Sequence, residues 1–260
     1  MKQCLVAVML LLIAQTAQAR LVTKNVEYRQ GSTVLEGYLA YDDAVQGKRP
    51  GVLVIHEWTG INSYIKKRTE QLASLGYVAF AADIYGKGVR PATPELAGKE
   101  AAKYRGKDRT LLRARSAAGL DVLMANPLVD TGRLAVIGYC FGGTAALELA
   151  RSGAKVQGTV SFHGGLDTPV PADALNIRGK VLALHGADDP HVPPEQVASF
   201  QQEMRLAKVD WEMNYYGSAV HAFTNPDSGN DPSKGAAYNA AADRRSWLAM
   251  KEFFAEIFAK

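Results

Sequence analysis

A lone thiol sits mid-chain within Gly138-Tyr139-Cys140-Phe141-Gly142-Gly143. The G-x-C-x-G spacing is that of a nucleophile held on a sharp strand-to-helix turn, where flanking glycines let backbones approach closely. Leu134 to Ile137 reads as the strand before it and Thr144 to Arg151 as the helix after it. A helix N-terminus at the sulfur favours a thiolate and any negative charge that develops on a substrate. In hydrolases built on this turn, the nucleophile is followed along the chain by an acid and then a histidine. His185-Gly186-Ala187-Asp188-Asp189 and then His221 supply that order here, each after a strand-like run.

The roles follow from the chemistry. His221 is expected to take the thiol proton and later return one to the leaving alkoxide. Asp188, the first acid of its pair, is expected to reach across and fix the imidazole tautomer, with Asp189 as the alternative. An oxyanion needs two fixed donors, expected at the backbone N–H groups of Phe141 and Trp58. His56, His163 and His185 are expected to bond loop backbones near strand ends, and His191 to face solvent. No H-x-x-x-H or thiolate pair suggests a metal, so neither metal nor cofactor is expected.

The elements that would position these residues alternate. Val22 to Arg29 and Val34 to Tyr41 read as a hairpin about Gln30-Gly31-Ser32. Val52 to Ile55, Tyr77 to Ala82, Leu134 to Ile137, Val156 to Phe162, Val181 to Leu184 and Asp210 to Tyr216 read as further strands. Between and after them, Ser63 to Leu75, Pro94 to Tyr104, Arg109 to Met124, Thr144 to Arg151, Pro194 to Leu206 and Ala236 to Phe258 read as helices. Such alternation predicts an α/β fold, a mostly parallel sheet flanked by helices with an N-terminal antiparallel hairpin. Sites in such sheets lie at the carboxyl ends of strands, where these candidates fall.

The 260 residues, 47% hydrophobic and 22% charged, suit one domain over residues 20–260. A net charge of +4, with cations scattered among acids, gives no reason to expect nucleic-acid binding. The run Ile65-Lys66-Lys67-Arg68 is expected to be a solvated helix face, as are Arg113 and Arg115. Residues 1–19 read as a signal peptide: Lys2, the apolar run Leu5 to Ala14, then Ala17-Gln18-Ala19 as a cleavage pattern. Export would leave Cys140 as the sole cysteine of the two and rule out an internal disulfide. The expectation is an exported monomer with a small-molecule substrate, off the membrane once the signal is removed.

Together, Gly-Tyr-Cys-Phe-Gly-Gly, Glu57-Trp58-Thr59-Gly60-Ile61-Asn62, Ala82-Asp83-Ile84-Tyr85, Gly186-Ala187-Asp188 and His221-Ala222-Phe223 resemble the dienelactone hydrolase family from about Pro50 onward. The resemblance implies an α/β-hydrolase fold, a Cys-His-Asp triad and hydrolysis of small esters or lactones. It also implies that Glu57 contacts the resting thiol and modulates it. A loop carboxylate pairing with a nearby Arg or Lys is the plainer reading of Glu57. The family's arginines for a substrate carboxylate are replaced by Lys87 and Asn225, with Arg90 the compensating candidate. A Lys lacks the bidentate fork and an Asn carries no charge, so the substrate need not be dienelactone. A non-catalytic exported binding protein of this fold and a thiol acyltransferase or peptidase are the competing readings.

Overall fold

The computed structural model describes residues 20–259, so the expected signal segment lies outside the described residues. An eight-stranded sheet runs in the order β1-β2-β4-β3-β5-β6-β7-β8. Its strands are β1 (Leu21–Gln30), β2 (Thr33–Asp42), β3 (Arg49–Ile55), β4 (Val78–Ala82), β5 (Val129–Tyr139), β6 (Gly158–Phe162), β7 (Lys180–Gly186) and β8 (Trp211–Tyr216). The hairpin β1/β2 and the pair β2/β4 are antiparallel; all other neighbours are parallel. The helices are α1 (Ser63–Ser74), α2 (Pro94–Ala102), α3 (Thr110–Met124), α4 (Phe141–Arg151), α5 (Pro194–Leu206) and α6 (Ala240–Ile257).

Alternation within each central strand splits the core in two. Val52, Val54, Ile137 and Leu182 pack with Ile65 and Leu72 of α1 and Phe253 and Phe254 of α6. Their neighbours Leu53, Ile55 and Val136 pack with Leu112 and Leu120 of α3 and Ala145 and Leu149 of α4. Val181 and Ala183 meet Val197, Phe200 and Met204 of α5. Strands buried on both faces favour apolar residues throughout, which is why β4 and the Val52–Ile55 stretch of β3 read as unbroken runs. Burial of each such aliphatic side chain stabilises the fold by about 1.5–3 kcal/mol. Helix starts are set locally: Asn62 and Asn239 accept backbone N–H groups of α1 and α6, and Thr93 caps α2 ahead of Pro94.

Three differences from the sequence expectation have physical causes. The strand β5 begins at Val129, before a register shift opposite Pro50/Gly51 that interrupts its apolar run. Helix α4 begins at Phe141, immediately after the thiol, because its glycines hide the helical periodicity. Several expected surface cations are enclosed. Arg68 is buried against Asp243, Tyr64 and the Thr224 carbonyl, and buried Arg115 donates to Gln30 and Thr33. Arg113 bridges Glu148 and Asp173. Beside it, fully buried Arg151 at the end of α4 binds Glu148 at 3.1 Å and Glu203 of α5 at 2.7 Å. Among the described residues no helix is long and apolar enough to cross a membrane.

Candidate active site

At the end of β5 the chain turns on Cys140, whose φ of 54° and ψ of −116° lie where few residues other than glycine are found. That geometry holds because the neighbours allow no alternative. A Cβ on Gly138 would sit 1.9 Å from the Gly142 carbonyl oxygen, and one on Gly142 would sit 2.1 Å from that of Ile55. The glycines of the motif are therefore required by close backbone approach. The Cys140 N–H is shared between the Phe162 carbonyl at 3.0 Å and His163 Nδ1 at 3.2 Å.

The turn aims Cys140 Sγ at His221 Nε2, 2.9 Å away. His221 stands in the loop after β8 and is stapled at both backbone groups, its N–H to Gly235 O and its carbonyl to the Ala237 N–H. Its Nδ1 lies 2.8 Å from Asp189 Oδ2. The orienting acid is thus Asp189, which corrects the expectation of Asp188. Asp189 N–H bonds back to Gly186 O at 3.1 Å, a tight turn that returns the second side chain over the sheet end and leaves Asp188 exposed. The other Asp189 oxygen accepts the His191 N–H at 2.8 Å, so the carboxylate is fixed on both sides.

Burial works against a charged His221, but the Cys140 sulfur and then Asp189 outweigh it and raise its pKa to about 10. An imidazole placed between the sulfur and a carboxylate can accept the thiol proton and favour an attacking thiolate.

The loop after β3 carries Glu57 and Trp58. It is clamped by His56 Nδ1–H donating to Glu57 O at 2.6 Å and by Tyr85 OH donating to Trp58 O at 2.9 Å. His56 Nε2 accepts the Ile84 N–H, so His56 bonds backbone, as expected. His185 instead packs edge-on against Tyr215. The N–H groups of Trp58 and of Phe141, first residue of α4, have no hydrogen-bond acceptor among the described residues. Both residues line the cleft with Cys140, where an oxyanion hole needs them.

Glu57 differs from what the resemblance implied. Its carboxyl accepts Asn225 Nδ2–H at 2.7 Å, while the sulfur faces His221 instead. The plainer reading, an ion pair with Arg or Lys, is not its contact either. Burial pushes the Glu57 pKa up to about 7, against the lowering effect of Asn225.

The three candidates for substrate recognition are engaged elsewhere. Lys87 is exposed and paired with Glu27, outside the cleft. Arg90 donates to the Ile61 and Val89 carbonyls. Asn225 lines the cleft but holds Glu57. The cleft, about 940 Å³, is walled by Trp58, Phe141, Val192 and the small residues Gly98, Ala101 and Ala102 of α2. One lining residue was not singled out in the sequence, and another has a contact the sequence did not suggest. Arg105, just past α2, carried no motif. His191 is solvent-exposed as expected, yet its ring meets His221 edge to face at 5.1 Å.

A mostly parallel sheet with a nucleophile turn after β5, an acid after β7 and a histidine after β8 defines an α/β hydrolase. Residues 35–258 match the family model described as the dienelactone hydrolase family, and the chain belongs to that family of hydrolases. A Synechocystis protein named as a carboxymethylenebutenolidase is 32% identical over 85% of this chain and 91% of its own length. A Bradyrhizobium protein named as a 2-oxo-3-(5-oxofuran-2-ylidene)propanoate lactonase is 32% identical over 72% of this chain and 79% of its own. The crystal structure of a dienelactone hydrolase-like promiscuous phosphotriesterase, P91, from metagenomic libraries superposes with a TM-score of 0.88. It is 42% identical over 93% of this chain and 100% of its own.

Proposed function

We propose that this protein is an exported hydrolase of small carboxylic esters or lactones that works through a thioester on Cys140. The observation that carries the reading is the continuous relay from Cys140 Sγ to His221 Nε2 at 2.9 Å and from His221 Nδ1 to Asp189 Oδ2 at 2.8 Å. The thiolate attacks the carbonyl carbon, and the oxyanion is received by the Phe141 and Trp58 N–H groups. The C–O bond then breaks, and His221 gives its proton to the departing alkoxide. Neutral His221 next takes a proton from water, whose oxygen attacks the thioester; the carboxylic acid leaves and the thiolate returns. Asp189 holds the tautomer and balances the imidazolium throughout.

The apolar walls suit an uncharged acyl or alkoxy group, and Arg105, which lines the cleft while pairing with Asp167 at 3.4 Å, offers a cation to a substrate whose carboxylate competes for it. The same open cleft favours a second reading on neutral phosphotriesters, in keeping with the name of the 42% identical neighbour. A panel of lactones, chromogenic esters with and without a carboxylate, and an aryl phosphotriester separates these readings. Cys140→Ala should abolish turnover, and Asp189→Asn should lower kcat by about 10³-fold or more while Asp188→Asn leaves it nearly unchanged. Full turnover by Cys140→Ala would overturn the mechanism, and turnover of the phosphotriester alone would overturn the ester reading.

A further inference from the structure

His163 follows β6 with a φ of 42°, a conformation that costs a non-glycine residue energy and that persists only where surroundings enforce it. Its ring is buried at the centre of the site without touching the cleft. Nδ1 accepts the Cys140 N–H at 3.2 Å, so the ring proton is on Nε2, which donates to Thr224 Oγ1 at 2.6 Å. The Thr224 hydroxyl shares a 2.6 Å hydrogen bond with Tyr64 OH, which also receives Arg68 Nε–H at 3.3 Å. The ring meets His221 edge to face at 5.4 Å and Phe223 at 5.0 Å.

We propose that neutral His163 is a positioning residue that ties the nucleophile turn to the histidine loop through its two ring nitrogens and its edge contact with His221. This rests on the esterase reading for its effect on turnover, though not for its effect on the thiol. One nitrogen fixes the peptide of Cys140 in its strained conformation, and the other anchors Thr224, three residues beyond His221. The ring between them backs the imidazole that faces the sulfur. A protonated ring would present a second N–H to the Cys140 N–H, so the link exists only in the neutral form. Burial, then the nearby charges of His221 and Arg68, hold His163 well below the usual histidine range. With its N–H occupied here and at Phe162 O, Cys140 leaves the oxyanion to Phe141 and Trp58.

The isosteric amides separate the two nitrogens. Asn places an acceptor where Nδ1 lies and tolerates positive φ; Gln places a donor where Nε2 lies but offers Cys140 nothing. In the full chain, the alkylation rate of Cys140 by iodoacetamide is followed across pH by peptide mass spectrometry, alongside kcat and KM. His163→Gln should lower kcat by about 10²-fold with KM little changed, as a small misplacement of reacting groups does. It should also move the pH at which Cys140 becomes reactive, while His163→Asn, which keeps the bond to Cys140 but loses the one to Thr224, leaves that pH near wild type and lowers kcat by a smaller factor. An Asn variant whose thiol shifts as far as that of Gln, an Asn variant with wild-type kcat, or a Gln variant whose thiol titrates as in wild type would overturn the proposal. His163→Ala is a third point where it folds; the Asn and Gln pair decides without it. Because alkylation needs no substrate, a chain inactive on every ester still tests the link.

Discussion

At the scale of single residues, the site is a set of adjacent side chains given opposite fates by one bond. Asp188 and Asp189 differ by one position in a turn; the first is exposed and the second is held by His221 and the His191 N–H. Glu57 is the other case, a buried carboxyl whose neighbour in the cleft is a neutral amide. Its pKa rises from 4.5 to about 7, so between those values the folded chain keeps a proton that the unfolded chain has lost. The native state then binds more protons, and this group's contribution to stability falls as pH rises through that window. Glu57→Gln should remove the fall. Denaturant unfolding should show the variant more stable than wild type by up to about 3 kcal/mol at pH 8, with the gap closing by pH 4. An absent gap at pH 8 would mean that Glu57 ionises freely in the fold.

At the scale of elements, much of the architecture was legible. Apolar runs marked the strands, glycine and proline marked their ends, and the chain order of thiol, acid and histidine located the site. What was not legible depends on the third dimension. The choice between Asp188 and Asp189 needs the turn that closes on Gly186 O. The cation count could not show that Arg68, Arg113, Arg115 and Arg151 find acids or acceptors inside, since Asp243, Asp173, Gln30 and Glu203 are all distant from them in sequence. Lys87 and Asn225 were placed by analogy with family positions, and the structure gives them Glu27 and Glu57 as partners. The cluster under α4 is the clearest energetic case. Arg151 is wholly enclosed with Glu148 and Glu203, and burial outweighs Arg151 to push the Glu203 carboxyl upward. Arg151→Met should leave the buried Glu203 uncompensated, while Glu148 keeps Arg113, and cost about 3–5 kcal/mol. Lys180→Met, which breaks the exposed pairs with Asp210 and Glu256, should leave stability nearly unchanged. Urea midpoints of the two variants check this contrast, and similar shifts would show that the cluster is already hydrated.

For the whole molecule, the hairpin β1/β2 extends the sheet beyond β4 and brings residue 20 to the end of β2. Arg20 N–H donates to Asp42 Oδ1 at 3.0 Å, and Arg20 O accepts the Asp43 N–H at 3.1 Å. Cleavage after Ala19, as the export reading requires, would turn that amide into an ammonium beside a mostly buried carboxylate. Intact mass and N-terminal sequencing of the exported protein should therefore begin at Arg20; recovery of the chain from Met1 alone would refute export. The crowded turn at Gly138 and Gly142 carries a consequence of another kind. It leaves no room for even one added methyl, whereas the cleft is bounded by segments around residues 98–106, 191–192 and 225–228 that lie outside the strands. Libraries randomised in those segments should yield new selectivities from an unaltered reaction centre, and inheritance in this lineage is free to drift in what it accepts long before it drifts in how it reacts.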